Sequence, residues 1–364
     1  MQQCPLMLGS YVCKIVLLIL HSIFKKHKVK TCLNYFPCFP RPARKGCLKS
    51  ASGSSGETCA GLLEYIRSHR PGLLILENVE ELTQAADENA DFLLEQLRGF
   101  DYDADIVILK SSHYGSPQRR VRAYVVAYHG SQGHAKLAVK LAEKLAVPQI
   151  DLASFVYQNE SDYLKSEFKR RTEQKEQKEQ KAHRAEEAEG AEVEDLWRAK
   201  YQSQLANSGM SVSSCMPPKE ISSLPWFQLL TQRQQFVLGH ALSEKPNLKS
   251  VDVFPSMAQE FISVDAQEIS TIVPNSVIWC TTLERCLLGA EMLRIQMMPS
   301  SIIDAGISAG VTDHLLADLA GNAFTGSVFS AVLIAALVHS PCAASDAAMP
   351  SATVVDEIAD IFDL

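Results

Sequence analysis

The 364-residue sequence predicts an α/β fold, and three observations carry that prediction. Leu73 to Leu76 is an uncharged apolar run, entered through Arg70-Pro71-Gly72 and closed by Glu77-Asn78, the pattern of a buried strand in a parallel sheet. A strand, helix, strand, strand order follows as far as Tyr128, which reads as one edge of an α/β sheet. The hydrophobic fraction, 46%, is enough for a sizeable core.

Residues 1–35 form a divergent N-terminal segment. Ile15 to Leu20 is apolar but closely bracketed by Lys14 and His21. It is too short to span a bilayer and lacks the layout of a cleaved signal peptide, so a buried strand or a disordered extension is expected. Lys25 to Lys30 reads as a basic turn, and Ser50 to Gly56 as a flexible Ser/Gly segment. Leu62, Leu63, Tyr65 and Ile66 predict a helix ending before Pro71. Phe92, Leu93, Leu94 and Leu97 predict a second helix, closed by Gly99. Ile106 to Leu109 and Val121 to Tyr128 read as strands, with a turn at Tyr114 to Pro117 between them and Gly130 closing the second.

The sequence changes character over 162–205, a charged, low-complexity stretch with almost no apolar stripe. It predicts a solvated helix or a disordered insertion rather than a coiled coil. Pro225 to Leu242 resumes globular patterning, with Trp226, Phe227, Leu230, Phe236 and Leu238 at roughly helical spacing. Cys286 to Gln296 predicts an amphipathic helix, and Leu315 to Ala323 leads into an apolar helix over Val328 to Val338. The Ala/Ser/Pro-rich and acidic segment 341–364 reads as a disordered tail.

The net charge of -7 gives no global support for nucleic-acid binding, so any such contact must be a local basic patch. The ten cysteines contain no C-x-x-C pair, and neither Cys32/Cys38 nor Cys280/Cys286 has zinc-ligand spacing. No metal site is predicted, and free thiols in a reduced compartment are the simplest reading.

Four segments in order resemble the cytosine-5 DNA methyltransferase family. Glu77-Asn78-Val79 matches its E-N-V segment, and Pro117-Gln118-Arg119-Arg120-Val121-Arg122 its P-Q-x-R-x-R segment. Glu291 to Gln296, with Pro299, matches its E-x-x-R-x-Q-x-x-P helix, and Gly321-Asn322-Ala323 its G-N-[SA] segment. About forty residues separate Glu77 from Gln118, which also fits. Phe36-Pro37-Cys38-Phe39-Pro40 lies where the family keeps its P-C nucleophile, although Phe39 and Arg41-Pro42 depart from the usual residues there.

The resemblance implies a partial Rossmann-like, S-adenosylmethionine-dependent methyltransferase sheet with an inserted, divergent target-recognition region. The implied organisation is 36–130 and 276–340 for the two parts of the catalytic domain and 131–275 for the recognition-like region, which contains the charged stretch. The implied reaction is methyl transfer to carbon 5 of cytosine in DNA. Cys38 would be the nucleophile, since a thiolate adding to carbon 6 turns the ring into an enamine. Glu77 would act as the acid at ring nitrogen 3, for which a desolvated strand end would keep its carboxyl protonated. Arg120 and Arg122, expected on one strand face, would orient the base carbonyl and Glu77. Pro37, Gly321 and Asn322 would line the S-adenosylmethionine pocket, and Glu291, Arg294 and Gln296 would be structural.

Each segment has a plainer reading on its own: a strand-ending acid in a solvated loop for Glu77, an ordinary buried thiol for Cys38, a basic loop for Arg119 to Arg122, a helix-start turn for Gly321-Asn322. The target base must be rotated out of the duplex. Lys25 to Lys30, Arg41 to Lys49 and Arg119 to Arg122 could contact the backbone. A DNA substrate implies a nuclear location, with the cytoplasm as the alternative. The Gly-rich segment with which the family begins is absent, and Leu8-Gly9-Ser10 is no substitute. The first strands of the sheet are therefore expected to be missing or replaced. Two alternatives stand beside the DNA enzyme: a tRNA cytosine-5 methyltransferase, and an inactive methyltransferase-like binding or regulatory protein.

Overall fold

The computed structural model describes residues 33–36, 53–83, 88–130, 132–186, 217–254, 262–263 and 267–340. The segments 1–32, 37–52, 187–216 and 341–364 lie outside the described residues, and with them fall the expectations for the N-terminal extension, the P-C segment and the tail. Chain contacts divide the molecule into two compact units. The first comprises 1–110, 121–147 and 328–364, and the second 111–120 and 148–327.

The first unit is built on a four-stranded sheet. In chain order it contains β1 (Leu33–Phe36), α1 (Gly53–His69), β2 (Leu73–Val79), α2 (Asn89–Gly99), β3 (Tyr102–Lys110), β4 (Val121–His129) and α3 (Ala135–Lys144). The strand order is β1-β2-β4-β3. β1 runs parallel to β2, and β4 is antiparallel to both β2 and β3. This is the partial Rossmann-like sheet expected from the sequence.

One face of the sheet carries Leu74, Leu76, Ala123, Val125 and Ala127, packed with Cys59, Leu62, Ile66, Leu93 and Leu97 of α1 and α2. Because side chains alternate along a strand, Ile75, Glu77, Tyr124, Val126 and Tyr128 point to the other face. α1 starts at Gly53, inside the segment expected to be flexible. Burial of Cys59, Leu62 and Ile66 overrides the poor helix propensity of its Gly/Ser start.

Two strands are longer than their apolar runs. β2 continues past Leu76 through Val79, so Glu77 and Asn78 lie within the strand rather than in a loop beyond it. Pairing with β4 as far as Val79↔Arg122 holds it extended. β3 begins at Tyr102, four residues before the predicted start. β4 begins at Val121, so Arg120 precedes the strand that carries Arg122, and the two guanidiniums do not come from one strand face.

The second unit contains α4 (Asp162–Glu186), α5 (Gln232–Glu244), β5 (Ser250–Asp252), β6 (Ile262–Ser263), β7 (Ile278–Cys280), β8 (Arg285–Cys286), α6 (Gly289–Ile295), α7 (Ser300–Ser308) and α8 (Asp313–Asn322). Its sheet has the order β6-β5-β7-β8. Two apolar clusters fill it, one centred on Phe236, Leu238 and Trp279, the other on Ile272, Ile295 and Leu316. The stretch 225–242, whose apolar residues have roughly helical spacing, is interrupted at Thr231, whose hydroxyl accepts from Gln234 N and caps α5. The predicted helix at Cys286 starts instead at Gly289, because Arg285 and Cys286 pair with β7.

The charged stretch is not simply solvated. Within α4, Leu164 and Glu167 are buried. Arg171 pairs with Asp313 at 2.6 Å, and Phe168 packs on Trp226 with ring centroids 5.1 Å apart. Lys175 donates to the Gln228 carbonyl. A few anchoring residues, too sparse to make a periodic stripe, dock its first half.

The last helix, α9 (Gly326–Val338), carries the chain from the second unit into the first. There the Tyr128 hydroxyl donates to the Ala336 carbonyl at 2.6 Å. Among the described residues no single helix is long and apolar enough to cross a membrane; α8 and α9 reach that length and composition only as a bent pair.

Candidate active site

In the first unit, the site residues lie on the sheet face opposite α1 and α2. Glu77 stands opposite Tyr124 and Val79 opposite Arg122 in the antiparallel ladder. Glu77 and Arg122 are thus diagonal neighbours on one face, a separation that long side chains can span. Arg122 Nε lies 3.1 Å from Glu77 Oε1, with the carboxylate side chain 2% and the guanidinium side chain 16% exposed. Arg122 Nη1 also donates to the Val121 carbonyl at 2.7 Å. Asn78, on the other face, turns its side chain back to accept from Val79 N at 2.8 Å.

β1 supplies the neighbouring edge. Phe36, its last residue, is in register with Leu76, the residue before Glu77. Cys38 follows Phe36 by two positions in sequence, and both Pro37 and Cys38 lie outside the described residues. Three cysteines are described, Cys59, Cys280 and Cys286, all buried free thiols. Burial pushes Cys59 up to about 11 and Cys286 up to about 12, the wrong direction for a thiolate nucleophile.

In the second unit, the loop 111–120 carries Gln118 and Arg120, both buried, and Arg119, which is exposed. Gln118 is fully enclosed: Nε2 donates to Gln296 Oε1 at 3.1 Å and Oε1 accepts from Ile272 N at 2.9 Å. Arg120 Nη1 donates to the Ile272 carbonyl at 3.3 Å. The Ser116 hydroxyl donates to the Ile295 carbonyl at 2.6 Å.

The three polar residues of the E-x-x-R-x-Q helix, expected to be structural, all contact protein groups of the second unit. Glu291 takes two guanidinium nitrogens of Arg285, at 2.7 and 2.8 Å, and also accepts from Leu288 N and Tyr157 N. Arg294 lies over the Tyr157 ring, 4.0 Å from its centroid. Arg285, Thr325 and Ser111 were not singled out from the sequence. Arg285 had a signal, a lone cation in an apolar stretch; the two hydroxyls had none.

Gly321 and Asn322 close α8 rather than open a helix. A Cβ at 321 would sit 2.2 Å from Pro274 N and 2.3 Å from Val273 C, so this glycine lets two backbone segments touch. Asn322 is exposed, and its amide donates to the Asp318 carbonyl at 2.9 Å. Of the two described residues expected to hold S-adenosylmethionine, Asn322 is exposed and Gly321 is buried. The space beside Gly321 is filled by protein.

A mixed sheet packed with helices, with a buried acid and a guanidinium paired near the carboxyl end of a strand, defines an α/β protein. Comparison with known sequences is more specific. The model of the C-5 cytosine-specific DNA methylase family matches residues 26–335, so the chain belongs to that family.

The DNA (cytosine-5-)-methyltransferase DMT5 of Cryptococcus neoformans var. grubii is 25% identical over 309 residues, 79% of this chain and 12% of that protein. The type II methyltransferase M.AplI of Arthrospira platensis is 28% identical over 112 residues, 31% of this chain and 30% of that protein. The chain thus spans well under half the length of these curated relatives. Among solved structures, the S. pombe Dnmt2 methyltransferase aligns with a TM-score of 0.42 at 14% identity, over 84% of this chain and 78% of its own. The Entamoeba histolytica methyltransferase EhMeth aligns with a TM-score of 0.40 at 13% identity, over 87% and 79%.

Proposed function

We propose that the chain methylates carbon 5 of cytosine in DNA through a covalent cysteine intermediate. Family membership supports the reaction class. The single structural observation behind the assignment of roles is the parallel register of β1 and β2. It sets the end of β1, two residues before Cys38, beside the residue that precedes Glu77.

In this reading the Cys38 thiolate adds to carbon 6 of the ring. The carbon 5–carbon 6 electron pair then becomes available at carbon 5, and the negative charge that spreads to ring nitrogen 3 is met by the proton of Glu77 in its carboxylic acid form. Arg122 and Arg120 are the base-orienting cations, which hydrogen-bond the base carbonyl and position Glu77. Once carbon 5 carries the methyl group, loss of its proton re-forms the double bond and expels the thiolate. S-adenosylmethionine is the donor the family implies; it would supply an electrophilic methyl group and leave as S-adenosylhomocysteine. Asn322 is the described residue proposed to contact it; Pro37 and Gly321 belong to the same sequence-based assignment. Arg119, exposed on its loop, is a candidate phosphate contact. A DNA substrate goes with a nuclear location.

The test is labelled-methyl incorporation into duplex DNA and into tRNA by the wild-type chain and by Cys38→Ser. Incorporation into DNA that the substitution abolishes is the expected result. Equal incorporation by both proteins removes the covalent mechanism, and preference for tRNA moves the substrate. Absence of incorporation, together with no heat of adenosylhomocysteine binding, identifies an inactive relative.

A further inference from the structure

The second unit buries a chain of carboxamides and hydroxyls whose hydrogen bonds permit only one orientation. The Ala320 carbonyl can only accept, so the Gln296 amide nitrogen must face it, at 2.9 Å. That leaves Gln296 Oε1 for two donors, Gln118 Nε2 and Thr325 Oγ1, each at 3.1 Å. A hydroxyl has one proton to give. With the Thr325 proton directed at Gln296, the Ser111 hydroxyl, 2.8 Å away, donates to Thr325. At the other end the Ile272 N–H can only donate, so Gln118 must present Oε1 to it, at 2.9 Å. The amide orientation this imposes on Gln118 is the one that Gln296 requires.

The chain ends on Arg120. Ile272 gives its N–H to Gln118 and its carbonyl to Arg120 Nη1, at 3.3 Å. The guanidinium is therefore referenced to a backbone segment whose own position is set by Gln118, and through it by Gln296 and Thr325. Further bonds stiffen the frame: Gly326 N donates to the Gln296 carbonyl at 2.7 Å, and Ser111 N to the Arg120 carbonyl at 2.8 Å. Gln118, Gln296 and Thr325 are at most 1% exposed, so these bonds lie away from bulk solvent.

We infer that Gln296, Gln118 and Thr325 are positioning residues that fix the Arg120 guanidinium for its contact with the substrate base. The inference rests on the proposed role of Arg120. None of the three touches the reacting atoms. Their substitution acts through a guanidinium displaced by a fraction of an ångström, and small displacements of this kind can lower the rate of the chemical step by roughly ten- to a hundredfold.

The test uses the full chain with duplex DNA and S-adenosylmethionine. Thr325→Val keeps the side-chain shape and deletes the proton given to Gln296; Thr325→Ser returns it. Thr325→Val is expected to lower kcat by about tenfold or more while KM for DNA stays within about twofold. Thr325→Ser should restore most of the loss. In an Arg120→Ala background the Thr325→Val substitution should cost no further kcat. Equal losses in both backgrounds, or a lower melting temperature with kcat unchanged, would overturn the inference. Ser111→Ala, which removes only the terminal donor, serves if Thr325→Val does not fold. A wild-type chain that transfers no methyl group refutes the enzyme reading instead. Hydrogen exchange at the Arg120 Nε–H, followed by NMR, then decides the positioning: faster exchange in Thr325→Val upholds it and an unchanged rate removes it.

Discussion

Arg122 faces Val79 across the antiparallel ladder, yet its guanidinium reaches back along the sheet to Glu77, with Nε 3.1 Å from Oε1. The diagonal keeps a carboxylate on a buried sheet face that it shares with the apolar side chains of Ile75 and Val126. Arg122→Ala strands that carboxylate. The expected loss is toward the low end of the about 3–5 kcal/mol typical of breaking a buried pair, because Arg122 is partly exposed. Adding Glu77→Gln should recover part of it. Urea midpoints of the single and double variants check this, and a double variant less stable than Arg122→Ala would contradict it.

Two glycines should tolerate no side chain. A Cβ at Gly289 would lie 2.1 Å from the Asp313 carbonyl oxygen and 2.3 Å from Ala317 N, and Gly321 is equally crowded by Val273 and Pro274. These contacts are with backbone, which cannot rotate away. Gly289→Ala and Gly321→Ala are each expected to destabilise the second unit by about 1–3 kcal/mol or more. Gly99, where a Cβ would meet nothing within 4 Å, is the control. Thermal melts that shift no more for Gly289→Ala than for Gly99→Ala would show that the α6–α8 contact is looser than described.

Arg285 and Glu291 are both at most 1% exposed and share two charge-assisted bonds. Arg285→Met should destabilise by about 3–5 kcal/mol, since it leaves the Glu291 charge buried. Arg285→Met with Glu291→Leu should be milder than the single change, although Leu288 N and Tyr157 N lose their acceptor. Denaturant unfolding of the three proteins measures the difference. Additive losses would mean that the two residues act independently.

Stability should also depend on pH through Asp252. Burial raises its carboxyl above the ordinary aspartate range, although Ser276, Phe254 N and Val277 N all donate to it and oppose the shift. A folded-state value above the unfolded one means that the unfolded chain gives up this proton first. The favourable contribution is complete below the unfolded value and is lost as pH rises through the folded one. Asp252→Asn should remove this dependence, so the variant gains on wild type from about pH 4 upward. Parallel stability curves across that window would assign the dependence elsewhere.

The buried thiols give a chemical test of the same packing. Cys59 and Cys286, held high by burial, should resist iodoacetamide in the folded protein at about pH 8 and react once it is unfolded. Mass spectrometry of each site reports this. Rapid labelling of native Cys59 would show that α1 does not stay on the sheet.

Much of the first unit was legible in the sequence because its signals are local. The uncharged run at Leu73 to Leu76, the apolar face of α2 and the strand before Gly130 each occupy consecutive residues. Boundaries were less legible: β2 runs on through Glu77 and Asn78 because β4 pairs with it, and nothing near residue 77 announces that partner. The charged helix over 162–186 was expected, but its anchors were not legible, for a related reason. Leu164, Phe168 and Arg171 dock it, but only against Trp226 and Asp313, which are remote in sequence.

By itself, the order of short segments from Glu77-Asn78-Val79 to Gly321-Asn322 determined kinship and the α/β class, since both depend on residue identity along one line. Only the tertiary structure decided what those residues touch. It assigned Gly321 to a backbone crossing, separated Arg120 from the strand of Arg122, and joined Gln118 to Gln296 and Thr325. Hydrogen bonds and ion pairs of this kind are set by distances between segments far apart in the chain, and linear spacing holds no record of those distances.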